Sequence, residues 1–119
     1  MRNETVIILS ASDASSQSGM QVDTNQILCA SFQAVFGDAT AVGTVKIQAS
    51  NDIYNSGYTP GSFAVTNWSD IPSASATITA GGIALIPKTD LCYRWIRAVY
   101  TSSSGGSSTV NITMNALGI

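Results

Sequence analysis

Hydrophobic and polar residues alternate along most of this chain with the two-residue period of a half-buried β-strand. The alternation is clearest in residues 44–50 and 109–117. The apolar positions that share one face are Val45, Ile47 and Ala49 in the first segment and Val110, Ile112, Met114 and Ala116 in the second. These side chains are predicted to point into a core, while the Thr, Lys, Gln and Asn residues between them point outward.

The same pattern, interrupted by Gly, Pro, Asn and Asp, predicts the remaining elements. Further strands are predicted over 5–10, 26–36, 73–79, 82–87 and 91–101, with a short strand considered at 62–65. Loops or turns are predicted at 11–25, 37–43, 51–67, 88–90 and 102–108, with a hairpin turn at 80–82. In 26–36 the inward face is predicted to carry Leu28, Ala30, Phe32, Ala34 and Phe36.

Seven or eight short strands, separated by turns about every 8–12 residues, are typical of sandwiches and jelly rolls. The sequence therefore predicts one all-β domain over residues 1–119, an antiparallel β-sandwich or jelly-roll-like fold, with residues 1–5 considered as an N-terminal arm. The composition agrees, since strong helix formers other than Ala are scarce while 17 Ser, 12 Thr and 7 Asn supply most of the polarity.

The low charge changes the picture of the surface. Charged residues make up only 10% of the chain, whereas globular domains usually have about 25%. Strand faces without Lys or Glu leave sheet edges without their usual protection against pairing. A surface so poor in charge is typical of a protein whose surface is largely covered by partners in an assembly.

Candidate chemistry is sparse. The chain has no His, which removes the commonest general base and metal ligand. Its acids stand mostly at turns, where Asp braces the backbone. The group Asn51, Asp52 and Asn55 lacks the spacing of a calcium loop. The net charge of −2 gives no electrostatic footprint for nucleic acid. We therefore expect neither an enzyme nor a metal site, and no cofactor.

The expected compartment follows from the apolar runs and the cysteines. The first ten residues lack the apolar stretch of a secretory signal, and no run is long enough to span a membrane. We therefore expect synthesis in a host cytoplasm without export through a signal peptide. Cys29 and Cys92 are interpreted as buried small hydrophobes. A disulfide between them stays open as an alternative.

Aromatic residues gather in and beside the 51–68 loop, namely Tyr54, Tyr58, Phe63 and Trp68. They could stack on sugar rings, which makes Tyr54, Tyr58 and Trp68 candidate carbohydrate-binding residues. The alternative is that Trp68 and Phe63 close one end of the sandwich, while Tyr54 and Tyr58 are exposed at a protein interface.

Three segments occur in a suggestive order: Val45–Asp52 ending in Ser-Asn-Asp, Asn67–Pro72 containing Trp68, and Tyr93–Val99 containing Trp95. They are followed by Gly105-Gly106 and an alternating strand. This order resembles small virion proteins of tailed bacteriophages, and more loosely discoidin-like sandwiches, over residues 45–118. The phage resemblance implies a decoration (cement) protein or a minor head or tail component, which is often a trimer.

From these observations we expect a non-enzymatic structural protein of the virion that stabilises the phage head lattice. Its partners would be the major capsid protein or other virion proteins, and further copies of itself in a homo-oligomer, with a trimer expected. Nucleic acid and membranes are not expected as partners. Arg2, Tyr54 and Tyr58 are the candidate interface residues. The alternative is a carbohydrate-binding module or adhesin-like tail component, whereas a secreted immune-type or toxin-like sandwich is disfavoured.

Overall fold

The structure is a computed structural model that describes residues 2–11, 16–24, 27–37, 39–52, 65–104 and 109–118. Within these ranges the chain forms nine strands and their connections. The strands are β1 (Arg2–Ala11), β2 (Gln17–Ser18), β3 (Val22–Asp23), β4 (Ile27–Phe36), β5 (Val42–Ser50), β6 (Ser69–Ile78), β7 (Ile83–Asp90), β8 (Trp95–Ser104) and β9 (Val110–Gly118). None of the described segments forms a helix of the length and apolar character needed to cross a membrane.

The strands form two antiparallel sheets, and the predicted all-β sandwich is confirmed. One sheet has four strands in the order β1-β9-β4-β7, and the other has the order β2-β8-β5-β6, with β3 also pairing with β8. After β4 the chain passes repeatedly from one sheet to the other, and only β5 and β6 are both consecutive and paired. The turn at 80–82 therefore joins two sheets and is not the predicted hairpin. Gly81 and Gly82 make this turn with φ of 59° and 75°.

The core lies between the sheets and is built by the predicted alternation. All apolar positions that β5 and β9 were predicted to point inward are buried. Tyr100 of β8 is fully buried and packs its ring against that of Phe36, with 5.1 Å between the centroids. Its hydroxyl donates to the carbonyl oxygen of Val42 at 3.4 Å. A buried Tyr needs such a partner.

Element bounds differ from the prediction where pairing overrides local signals. Residues 1–5 were considered as an N-terminal arm. Residues 2–5 instead form the start of β1, where they pair with residues 115–118 of β9. Strand β7 continues through Pro87 and the predicted turn at 88–90, because its later part pairs with Cys29 and Ala30 of β4. Strand β8 starts four residues later than predicted and runs to Ser104.

Two residues that were predicted to be buried, Leu28 and Cys92, are exposed. Leu28 is 43% exposed, because the register of β4 against β9 shifts between Ile27 and Cys29. A bulge reverses the face on which the following residues lie. Cys92 is exposed as a free thiol, since it lies in the connection between β7 and β8, whereas Cys29 is free and buried as predicted.

Candidate functional site

A row of polar side chains crosses the outer face of the five-stranded sheet. Gln48 of β5 stands directly opposite Asp70 of β6 on one side and Arg97 of β8 on the other. The Gln48 amide donates to Asp70 Oδ1 at 2.9 Å and accepts from Arg97 Nε at 2.9 Å. A neutral amide can bridge an anion and a cation in this way because it carries both a donor and an acceptor.

The row is extended at its acidic end. Lys46 Nζ lies 3.1 Å from Asp70 Oδ2, and both side chains are about half exposed. The hydrogen bonds from Gln48 and Lys46 hold the pKa of Asp70 below its usual value. Burial of the Arg97 guanidinium lowers its pKa from the usual value. It stays protonated at neutral pH because the ordinary value is so high.

Trp68 lies at the basic end of the row. The Arg97 guanidinium carbon is 4.6 Å from the centroid of the Trp68 ring, which is cation–π distance. The indole Nε1 donates to the carbonyl oxygen of Val65 at 3.2 Å. One ring face and the polar edge of Trp68 are therefore already engaged, so a sugar ring could stack only on the opposite face.

The segment that carries Trp68 is held by one carboxylate. Asp52 accepts hydrogen bonds from the backbone N–H groups of Thr66 and Asn67 at 2.9 and 3.1 Å, and from Asn67 Nδ2 at 2.8 Å. These bonds, that of the Asn67 side chain first, lower the pKa of Asp52. The indole N–H of Trp95 donates to the carbonyl oxygen of Asp52 at 3.2 Å. The Asp52 carboxylate therefore stabilises the segment that precedes Trp68, and both of its oxygens already accept hydrogen bonds from that segment.

The cleft that adjoins this row at Asp70 is small. The cleft that Asp70 lines, with Asn51, Asn67 and Tyr93 among others, measures about 210 Å³, whereas sites for small molecules usually measure about 300–1,000 Å³. A neighbouring cleft of about 410 Å³ shares Tyr93 and lies between β6 and β7. Among the described residues no group of three or more His, Cys, Asp or Glu could hold a metal ion. The outer face of this sheet therefore offers a row of polar contacts to a partner or ligand.

The outer face of the four-stranded sheet has a different character. The strand register aligns three rows across it, none of which contains a charged residue. The rows are Thr5, Asn115 and Ser31; Ile7, Thr113, Gln33 and Leu85; and Ser10, Asn111, Val35 and Ile83. Its exposed apolar side chains are Ile7 in β1, Val35 in β4, and Ile83 and Leu85 in β7, and hydroxyls and amides occupy the other positions of these rows.

The polar side chains of β1 and β9 on that face are hydrogen-bonded to one another. Thr5 Oγ1 donates to Asn115 Oδ1 at 3.1 Å, and Ser10 Oγ donates to Asn111 Oδ1 at 2.7 Å. Cross-strand pairs of this kind stabilise a sheet without charge. These three rows therefore form an uncharged patch, whereas the next row along the register, Leu117, Cys29 and Asp90, carries a charge.

The structure describes some of the predicted site residues and not others. Trp68 joins the polar row. Tyr54 and Tyr58 lie outside the described residues, as does most of the considered strand at 62–65. The backbone of Arg2 lies in β1, opposite Gly118, and its side chain is not described. No predicted site residue contributes to the three uncharged rows.

Sequence reasoning did not identify Gln48 and Asp70 as partners of Arg97. The available signal was an Arg among apolar residues of a strand, whose stem can cover apolar surface while its head seeks a polar partner. Choosing that partner required the register between three strands that are distant in sequence.

Two solved structures share this arrangement of sheets. The crystal structure of the PBSX exported protein XepA matches with a TM-score of 0.68 and 16% identity, over 98% of this chain and 37% of that one. The crystal structure of the SPBc2 prophage-derived protein YomS matches with a TM-score of 0.58 and 8% identity, over 97% of this chain and 92% of that one. The chain thus spans well under half the length of XepA. No family model and no curated protein sequence matches the chain.

These likenesses define the chain as a two-sheet β-sandwich of the fold found in XepA and YomS. At such low identity they concern the fold alone.

Proposed function

We propose that this chain is a non-enzymatic structural protein of a bacteriophage virion, and that it binds the head lattice as a decoration protein. The observation that carries the proposal is the set of three uncharged rows on the outer face of the four-stranded sheet. A likeness of fold to a prophage-derived protein supports the phage origin. The partners would be the major capsid protein or other virion proteins, together with further copies of this chain.

The size of the face suits protein docking. Four strands spaced by about 4.8 Å, each about nine residues long at about 3.3 Å per residue, give a face of roughly 570 Å² in projection, of which the three uncharged rows cover about half. A stable interface buries about 800 Å² of accessible surface per partner, which a corrugated face of this projected size approaches. The three rows contain no charge, so docking there avoids the cost of burying an unpaired ion.

Decoration would act by mass action. Each bound copy stabilises the assembled lattice over the dissociated subunits, because it binds only the former. The Asn, Thr and Gln side chains of the three rows would exchange hydrogen bonds with the lattice, and the exposed apolar residues among them would exclude water.

The test uses two matched lysine substitutions in the phage that encodes the chain. Thr113→Lys places a charge within the three uncharged rows, whereas Thr101→Lys places one on the exposed outer face of β8 in the other sheet. We expect purified particles to contain the wild-type and Thr101→Lys chains, and to lose the Thr113→Lys chain, by quantitative mass spectrometry. Particles that lack the wild-type chain, or that retain all three equally, would contradict the proposal.

A second candidate is a carbohydrate-binding module or adhesin-like tail component. It is favoured by one observation, namely that Trp68 presents a ring beside the hydrogen-bonding groups of Gln48 and Asp70. A glycan array with the wild-type chain and the Trp68→Ala variant separates the two candidates. Binding that depends on Trp68 supports this function, and an array without any bound glycan removes it.

A further inference from the structure

The outer strands of the sheets differ in how well their edges are protected against pairing. Along β1 the register shifts between Ile7 and Leu9, and Met20 N–H donates to the Ile8 carbonyl oxygen at 3.2 Å. The segment that holds Met20 therefore takes up part of that edge. At the other edge of the molecule, β2 and β3 are only two residues long each. Bulges and short strands are standard means of blunting an edge.

The free edge of β6 is protected against pairing in another way. Its pairing with β5 moves from Lys46 opposite Ser75 to Gln48 opposite Asp70, so an irregular stretch separates the two paired parts. That stretch contains Pro72, which has no N–H to donate, and Ser73, whose φ of 66° is unusual for a residue other than Gly. A second strand could not continue along this edge.

Strand β7 lacks this protection over residues 83–86. These residues pair with β4 in unbroken register, Ile83 with Val35 through Ile86 with Phe32. Ile83 and Leu85 are 67% and 68% exposed. Residues 83–86 contain no charge, and no strand of the described part of the chain pairs with their outer side.

The backbone direction along this edge follows from one hydrogen bond. Phe36 N–H donates to the Gly82 carbonyl oxygen at 2.8 Å. Bonded and non-bonded pairs alternate in an antiparallel ladder, so Ala84 and Ile86 turn their polar groups towards β4. The N–H and C=O groups of Ile83 and Leu85 consequently point to the free edge.

We propose that β7 pairs with β7 of a second copy of this chain, antiparallel and about a two-fold axis at Ala84. In that register Ile83 of each copy lies opposite Leu85 of the other, and each of these residues both donates and accepts a backbone hydrogen bond. The exposed Ile83 and Leu85 side chains then pack across the axis on the same outer face. A slip towards Pro87 would leave a carbonyl unpaired, because proline cannot donate.

A second copy fits this edge better than a charged partner. The strip is uncharged and carries the same groups in both copies, so the contact is self-complementary as a two-fold interface requires. Pairing of four residues per copy buries less than the roughly 1,200 Å² of a standard interface. A reversible dimer is therefore expected, with the two four-stranded sheets joined into one sheet twice as wide.

The decisive variant is Leu85→Pro. The Leu85 N–H points away from β4, so proline removes no hydrogen bond within the chain but removes one from each side of the dimer. Ile83→Lys is a second variant that keeps the backbone and adds like charges on both sides of the axis. Ile7→Lys is the matched control, since Ile7 is 55% exposed on the same outer face at the opposite edge.

Sedimentation velocity over a wide concentration range measures the association, with circular dichroism to check folding. We expect the wild type and Ile7→Lys to move from 12.3 kDa monomer towards dimer as concentration rises. Both β7 variants should associate at least tenfold more weakly. Hydrogen exchange should also slow with concentration at the Ile83 and Leu85 amides in the wild type.

A wild type that stays monomeric at millimolar concentration overturns the proposal. So does a folded Leu85→Pro or Ile83→Lys variant that associates like the wild type. If Leu85→Pro does not fold, Ile83→Lys and the exchange of the two amides decide the question. The outcome is independent of head binding, because that function is tested by recovery of the chain on particles.

Discussion

Gly43 of β5 is the position where a single added methyl group should disturb the core most directly. A Cβ at this residue would lie 2.3 Å from the Thr101 carbonyl oxygen and 2.9 Å from both Cε1 and the hydroxyl oxygen of Tyr100. The φ of Gly43 is not in the left-handed region. Space alone therefore requires glycine here, and Gly43→Ala tests the close approach of β5 and β8.

The expected loss of stability has two parts. A carbon–oxygen contact needs about 3.3 Å, so the strands must separate by about 1 Å, and overpacking of this kind costs about 1–3 kcal/mol. Weakening one adjacent ladder bond adds about 0.5–1.5 kcal/mol. The total is about 1.5–4.5 kcal/mol. With an unfolding entropy of about 0.25 kcal/mol/K for 119 residues, this lowers Tm by about 6–18 °C.

Thermal unfolding followed by circular dichroism measures this shift. Gly82→Ala is the matched control, because Gly82 has open space around it and a φ of +75°. Its cost should be limited to left-handed backbone strain of about 1–2 kcal/mol. If Gly43→Ala melted within about 2 °C of the wild type, the packing argument for β5 and β8 would be refuted.

Three other expectations follow from the same structure. Folding lowers the pKa of Asp52, so its ionised carboxylate stabilises the folded state. This contribution is full above the unfolded pKa of about 3.9 and is lost as pH falls through the folded pKa. The Tm difference between wild type and Asp52→Asn should therefore vanish in acid. Arg97→Ala should expose Trp68 to iodide quenching and cost about 1 kcal/mol in denaturant unfolding; unchanged quenching would contradict the stacking. In the native protein a thiol reagent should modify Cys92 rapidly and Cys29 only on unfolding, and equal rates would contradict their burial.

The alternation in the sequence was sufficient to locate most strands and to orient several of them. Strands β5 and β9 have the inward faces that their patterns predicted, because the side-chain period of a strand is a local property of the backbone. The same pattern predicted the all-β sandwich, and Ala74 and Ile78, which alternate with polar residues in β6, are buried.

The candidate site was predicted less well. Trp68 was identified from its place beside a loop, but its contact with Arg97 was not. The row that joins Gln48, Asp70 and Arg97 depends on the register of three strands. Register of this kind is a property of the assembled sheet, and a short polar segment does not encode its partner.

The sequence by itself thus determined the class of fold, the approximate strands and a surface poor in charge, since these depend on composition and local period. The tertiary structure decided which strands share a sheet, including the separation of β6 from β7. It also decided where bulges turn Leu28 outward and which edge stays open at Ile83 and Leu85. These features arise from pairing between residues far apart in the chain, where small shifts of register change what is buried and what is exposed.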